Sequence, residues 1–122
     1  MSERVRAAAL QYWIRPVNTF EDFAEQVTAL VETARDYKVQ LLVFPEYFTV
    51  QLLTLGELGK PILDQVRDLA RQVPRYLELM TGLARKNGLY IVGGSIPVTD
   101  DGDERVFNQS YLFSPGGDHA FQ

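Results

Sequence analysis

The stretch Val39-Gln40-Leu41-Leu42-Val43-Phe44-Pro45-Glu46-Tyr47-Phe48 constrains the fold more than any other part of the chain. A short, nearly unbroken apolar run rich in Val and Leu is the pattern of a strand covered on both faces. Pro45 has no amide proton to give a ladder and biases Phe44 toward an extended backbone, so the regular strand is predicted to stop there. Glu46 then falls at the carboxyl end of a buried strand, where open α/β sheets place their ligand sites. A carboxyl group at the lip of an apolar wall is a candidate general base, because partial burial would raise its pKa toward neutrality. The alternative is a solvated strand-end residue without chemistry.

The rest of the chain must supply what such a strand needs. With 122 residues it is long enough for one domain, residues 1–122, burying about two-thirds of the surface of its unfolded form. The net charge of −4 and the absence of any Lys/Arg cluster argue against nucleic-acid or anionic-membrane partners, which select basic patches. No cysteine is present, which excludes a disulfide framework, a thiolate metal site and a thiol nucleophile within these residues. The first residues lack the layout of a signal peptide, and no apolar run reaches bilayer length, so a cytoplasmic location is expected.

Taken in order, Val5 to Tyr12 is predicted as a first strand closed by Pro16, with Gln11 facing the same rim as Glu46 if the strands are parallel. Thr19 can cap the amide of Asp22, and Glu21 and Asp22 place negative charge in a first helical turn. Phe20, Phe23, Val27, Leu30, Val31 and Ala34 recur at three- and four-residue steps, the stripe of a helix that covers a sheet. Strand, helix and strand make a βαβ unit, hence parallel strands with a right-handed crossover. Tyr47 to Leu55 shows no clean period and reads as a connection. Gly56 to Lys60 is a break, Pro61 opens a short helix through Ala70, and Pro74 opens another that ends on Asn87-Gly88.

Leu89 to Val98 reads as a third strand. Its Gly93-Gly94-Ser95 has the composition of a phosphate loop but continues into the extended Ile96-Pro97-Val98, so close backbone approach at a bulge is the better reading. Asp100-Asp101-Gly102-Asp103 is predicted as a turn, and lacks the later glutamate of a calcium loop. Arg105 to Ser114 is a fourth strand antiparallel to the third. His119 to Gln122 looks like the start of a further element. Asn108 and Ser110 share one face of the fourth strand, preceded by Arg105, and Asn108 needs a partner if buried, a neighbouring backbone group being the simpler one. The spacing gives no support to a Ser110–His119 pair, and no His/Asp/Glu spacing marks a metal site.

The ordered set Ala9-Leu10-Gln11, Leu42-Val43-Phe44-Pro45-Glu46, Leu83-Ala84 to Val92-Gly93-Gly94-Ser95, and Arg105-Val106-Phe107-Asn108 to Ser114-Pro115-Gly116-Gly117 resembles the nitrilase, or carbon–nitrogen hydrolase, superfamily. The resemblance implies an α/β fold, an α-β-β-α sandwich of which residues 1–122 would form only the amino-terminal part, about four strands and two to three helices. It implies cleavage of non-peptide carbon–nitrogen bonds in amides, nitriles or N-carbamoyl compounds through a Cys thioester, with a Glu and a Lys assisting and no cofactor. Glu46 matches the catalytic glutamate. The family's lysine follows the segment resembling Gly117 to Gln122, and its cysteine comes later still, so the chain by itself is expected to be inert. The partners implied are a small-molecule amide or nitrile, a homo-oligomeric copy, or the missing carboxyl-terminal half, whose second sheet would cover the bare face of the first. A non-catalytic α/β module that assembles with a partner, and more remotely a nucleotide-binding domain built on Gly93-Gly94, are the alternatives.

Overall fold

A computed structural model describes residues 4–99 and 105–122. Its elements are β1 (Ala7–Ala9), α1 (Phe20–Asp36), β2 (Leu41–Phe44), a 3-10 helix (Phe48–Leu55), α2 (Ile62–Ala70), α3 (Val73–Asn87), β3 (Tyr90–Thr99), β4 (Val106–Phe113) and β5 (His119–Phe121). The strands form one mixed sheet in the order β1-β2-β3-β4-β5. β1, β2 and β3 are parallel, whereas β4 runs antiparallel to both β3 and β5.

The local signals act as expected at most boundaries. Thr19 is extended, and its hydroxyl accepts from the Asp22 amide at 3.1 Å, closing the first turn of α1. Pro74 lies in the first turn of α3, where a missing N–H costs nothing. Gly88 takes the left-handed conformation with φ of 68° and ends that helix. β2 stops at Phe44 before Pro45. Three features differ from the sequence reading. β1 has three residues rather than the span Val5 to Tyr12, although Leu10 still donates its amide to the Val43 carbonyl at 2.9 Å. Tyr47 to Leu55 is not an unpatterned connection, for all but its first residue form the 3-10 helix. The element expected to begin at His119 does so as a strand, which makes five strands where about four were expected. The turn predicted at Asp100 to Asp103 lies outside the described residues.

The core sits on one face of the sheet only. Leu42 and Phe44 of β2, Ile91 of β3 and Phe113 of β4 are buried beneath Phe23, Val27 and Val31 of α1, Phe48 of the 3-10 helix and Tyr76 and Met80 of α3. Phe44 and Phe48 pack with ring centroids 4.7 Å apart. The opposite face carries a second apolar set in register: Ala7, Leu41 and Tyr90 along one row, and Ala9, Val43, Val92 and Leu112 along the next. These side chains are partly or fully exposed, Tyr90 by 48% and Leu112 by 42%. Both faces of β2 are therefore apolar, as its sequence required, but the described residues cover only one.

Two irregularities shape β3. Val92 pairs with Leu112 and Ser95 with Ser110, three steps on β3 against two on β4, which is a bulge at Gly93-Gly94. Further along, Pro97 lies inside the strand opposite Asn108. Ser110 and Gln122 exchange both backbone hydrogen bonds at 3.0 Å, so Ser110, and Asn108 two residues away, turn their peptide groups away from β3. Pro97 thus faces a non-hydrogen-bonded pair and its missing N–H breaks no bond to β4.

Candidate active site at the carboxyl end of β2

Glu46 leaves the end of β2 in a turn that is held at several points. Tyr47, the next residue, has φ of 62°, a left-handed conformation uncommon for a non-glycine residue. The Tyr47 amide donates to Ser95 Oγ at 3.0 Å, and the Thr49 hydroxyl donates to the Ser95 carbonyl at 2.7 Å. Ser95 and Thr49 are both buried. The bulge brings Gly94, with φ of 64°, so close to the turn that a Cβ there would lie against the Pro45 carbonyl and 2.6 Å from Phe48 Cδ1. The Gly-Gly-Ser sequence is therefore a backbone cradle for Pro45-Glu46-Tyr47. No helix follows it, and its carbonyls are already engaged: Gly93 accepts from the Tyr76 hydroxyl and Gly94 from the Ser110 hydroxyl, the latter at 2.8 Å. Burial raises the Tyr76 pKa far above the ordinary phenol value, so the ring is held as a neutral donor.

The Glu46 side chain points over the bare face of the sheet toward β4. Its Oε1 accepts a hydrogen bond from Asn108 Nδ2 at 3.1 Å. Glu46 and Asn108 are exposed, so the partial burial expected for the carboxyl group is not present in this chain. The physical reason is the missing cover: the helices pack on the other face. Around the carboxylate lies an open depression of about 380 Å³, lined by Phe44, Val92, Gly94, Ser95, Asn108, Ser110 and Gln122.

The structure sorts the other candidates. Asn108 takes the Glu46 carboxylate rather than a backbone group as its partner. Ser110 lies half-buried beside Asn108, with its hydroxyl donating to Gly94. His119 packs its ring against Tyr111 and Phe113, centroids 5.8 and 6.0 Å away, on the opposite side of the sheet from Ser110. A Ser110–His119 pair is thereby removed. Arg105 places its guanidinium over the Phe107 ring, 5.5 Å from the centroid. Gln11 is exposed beyond β1; since Ala9 pairs with Val43, the same register would bring Gln11 level with Pro45. Ser95 and Thr49 were missed as positioning groups. The serine after two glycines was the available signal, but the partner segment lies 46 residues or more away.

Among the described residues no three His, Cys, Asp or Glu side chains gather closely enough to hold a metal ion. No helix of the described residues is long and apolar enough to cross a membrane.

The mixed sheet with its helices matches the fold of nitrilase-type amidases over part of their chain. Residues 6–120 match the carbon-nitrogen hydrolase family, and the chain belongs to it. A probable hydrolase of Bacillus subtilis, YhcX, is 37% identical over 113 residues, which cover 93% of this chain and 21% of that protein. Omega-amidase NIT2-B of Xenopus laevis is 26% identical over 93% of this chain and 37% of its own length. An amidase from Nesterenkonia sp. superimposes with a TM-score of 0.69 at 26% identity, over 95% of this chain and 40% of that one. A glutamate-to-glutamine variant of that amidase carries acrylamide, joined by Michael addition, at its active-site cysteine. The chain thus spans about a fifth to two-fifths of the length of these relatives.

Proposed function

We propose that this chain is the amino-terminal part of a hydrolase of non-peptide carbon–nitrogen bonds, with Glu46 as its general base. The substrate is a small amide, nitrile or N-carbamoyl compound. For an amide, the Glu46 carboxylate takes the proton of a cysteine thiol as the sulfur adds to the carbonyl carbon. The C–N bond then breaks, and the amine leaves with the proton returned by Glu46. A water molecule, deprotonated by the same carboxylate, adds to the thioester; the C–S bond breaks, the thiol reforms and the acid departs. A lysine stabilises the oxyanion formed on each addition. The thiol and the lysine belong to the remainder of the sandwich, whose second sheet covers the two rows that hold Leu41 and Tyr90, and Val43, Val92 and Leu112. An apolar face of this kind marks a site of association.

The observation that carries the reading is the orientation of Glu46: a carboxylate at the carboxyl end of a core strand, turned over the bare face and hydrogen-bonded at 3.1 Å. The sequence contains no cysteine, in keeping with a nucleophile supplied from elsewhere. Ammonia release from small amides tests it. The 122-residue chain should show none, and a longer gene product with the lysine and cysteine should turn over. Glu46→Gln in that product should lower kcat about 100- to 10,000-fold, the usual range for a general base. Turnover by the short chain alone would remove the need for a thiol, and a near-normal rate in Glu46→Gln would remove Glu46 as the base.

A further inference from the structure

We infer that Asn108 is a positioning residue for this hydrolase, setting the angle at which Glu46 meets the reacting atoms. The inference rests on the reading of Glu46 as the general base. A glutamate has three side-chain torsions, and an exposed one sweeps many rotamers unless something holds it. Two parts of the fold restrict Glu46. The backbone that follows it is held from β3, where Ser95 engages the Tyr47 amide at 3.0 Å and the Thr49 hydroxyl at 2.7 Å. Its side chain is fixed from β4 by Asn108 Nδ2 at 3.1 Å, among the described residues the only hydrogen bond on that carboxylate.

The two anchors move together. Asn108 pairs with Pro97, two residues beyond Ser95, in the antiparallel ladder. One strand pair therefore holds both the turn that follows the glutamate and its head group. The amide occupies Oε1 and leaves Oε2 to exchange protons, and a carboxamide is suited to this task. It donates a hydrogen bond yet carries no charge and does not compete for the proton being transferred. An Arg or Lys in its place would form an ion pair with the base, and an Asp would repel it. In this chain Asn108 is exposed and lines the depression around Glu46 rather than the core, and in the longer product the amide-preserving Asn108→Gln variant separates an effect on the rate from one on packing.

The test uses the longer gene product that contains the lysine and the cysteine. Asn108→Leu removes the donor, and Asn108→Gln keeps the amide one methylene further out. With the base no longer held, kcat for a small amide should fall about 10- to 100-fold, the scale of an ångström-level misplacement. KM and the melting temperature should stay near their wild-type values, and Asn108→Gln should recover part of the loss. In a Glu46→Gln background Asn108→Leu should cost little more, because both changes act through one group. Wild-type kcat in Asn108→Leu while Glu46→Gln is inactive would overturn this inference and leave the base assignment standing. So would a loss that multiplies in full onto that of Glu46→Gln. Wild-type kcat in Glu46→Gln would overturn both.

Discussion

Replacing Gly94 by alanine isolates the close approach between the β3 bulge and the Glu46 turn. Two costs are expected at this site. The φ of 64° is left-handed, which costs an L-residue about 1–2 kcal/mol. The new methyl would also lie against the Pro45 carbonyl and 2.6 Å from Phe48 Cδ1. Neither can yield: one is backbone, and the Phe48 ring is buried among Tyr12, Phe23, Phe44 and Tyr76. Overpacking of this kind costs about 1–3 kcal/mol, so the total for Gly94→Ala is about 2–5 kcal/mol. Gly88→Ala is the control, since Gly88 has φ of 68° but nothing within 4 Å of its own would-be Cβ. It should carry the conformational cost alone, about 1–2 kcal/mol. The gain from a stiffer unfolded chain is common to both variants and cancels. Urea denaturation followed by far-ultraviolet circular dichroism reads the difference; fluorescence is a poor probe because Trp13 is 79% exposed. Equal midpoints and slopes for the two variants would show that β3 does not press on the turn, and the cradle would have to be abandoned.

Phe44→Ala tests the neighbouring strand β2: the ring is 2% exposed, and its loss should cost about 3–5 kcal/mol in a denaturation experiment. A cost below about 1 kcal/mol would mean that β2 is not the centre of the core. The Lys60–Asp68 pair, 2.9 Å apart, predicts a pH dependence. The hydrogen bond between them holds the Asp68 carboxyl below its ordinary range and the Lys60 ammonium above its own. A depressed carboxyl contributes stability above its unfolded pKa and loses it as pH falls through the folded one. A raised ammonium contributes below its unfolded pKa and loses its share as pH rises through the folded one. The stability gap between wild type and Asp68→Asn should thus be largest near neutrality and shrink toward both extremes. A gap independent of pH would refute the linkage.

The parts of the fold legible in the sequence were those decided locally. Pro45 ends β2 because of its own chemistry, Thr19 caps α1 across three residues, and Gly88 closes α3 by its own φ. The two apolar faces of β2 were legible too, since alternation along a strand is fixed by the pleat. The bulge at Gly93-Gly94 was expected from composition, but its effect on the register of Ser95 was not, because one extra residue changes what lies opposite every later one. The left-handed Tyr47 left no trace in the sequence, since neighbouring strands impose that conformation on an ordinary side chain. At the site, Glu46 could be singled out from its place after a strand. Its partner could not: Asn108 lies 62 residues away, and only the sheet order brings the two together.

That separation bears on how the chain acquires its site. β3 and β4 meet through a short connection, so their hairpin closes early and at low entropic cost. β2 has to search for β3 across the whole α2–α3 excursion, a slower event. The carboxylate is oriented only when this last docking is complete, because its two anchors both belong to the hairpin. Until β2 has docked, the Glu46 side chain lacks its Asn108 contact and the turn after it lacks its Ser95 contact.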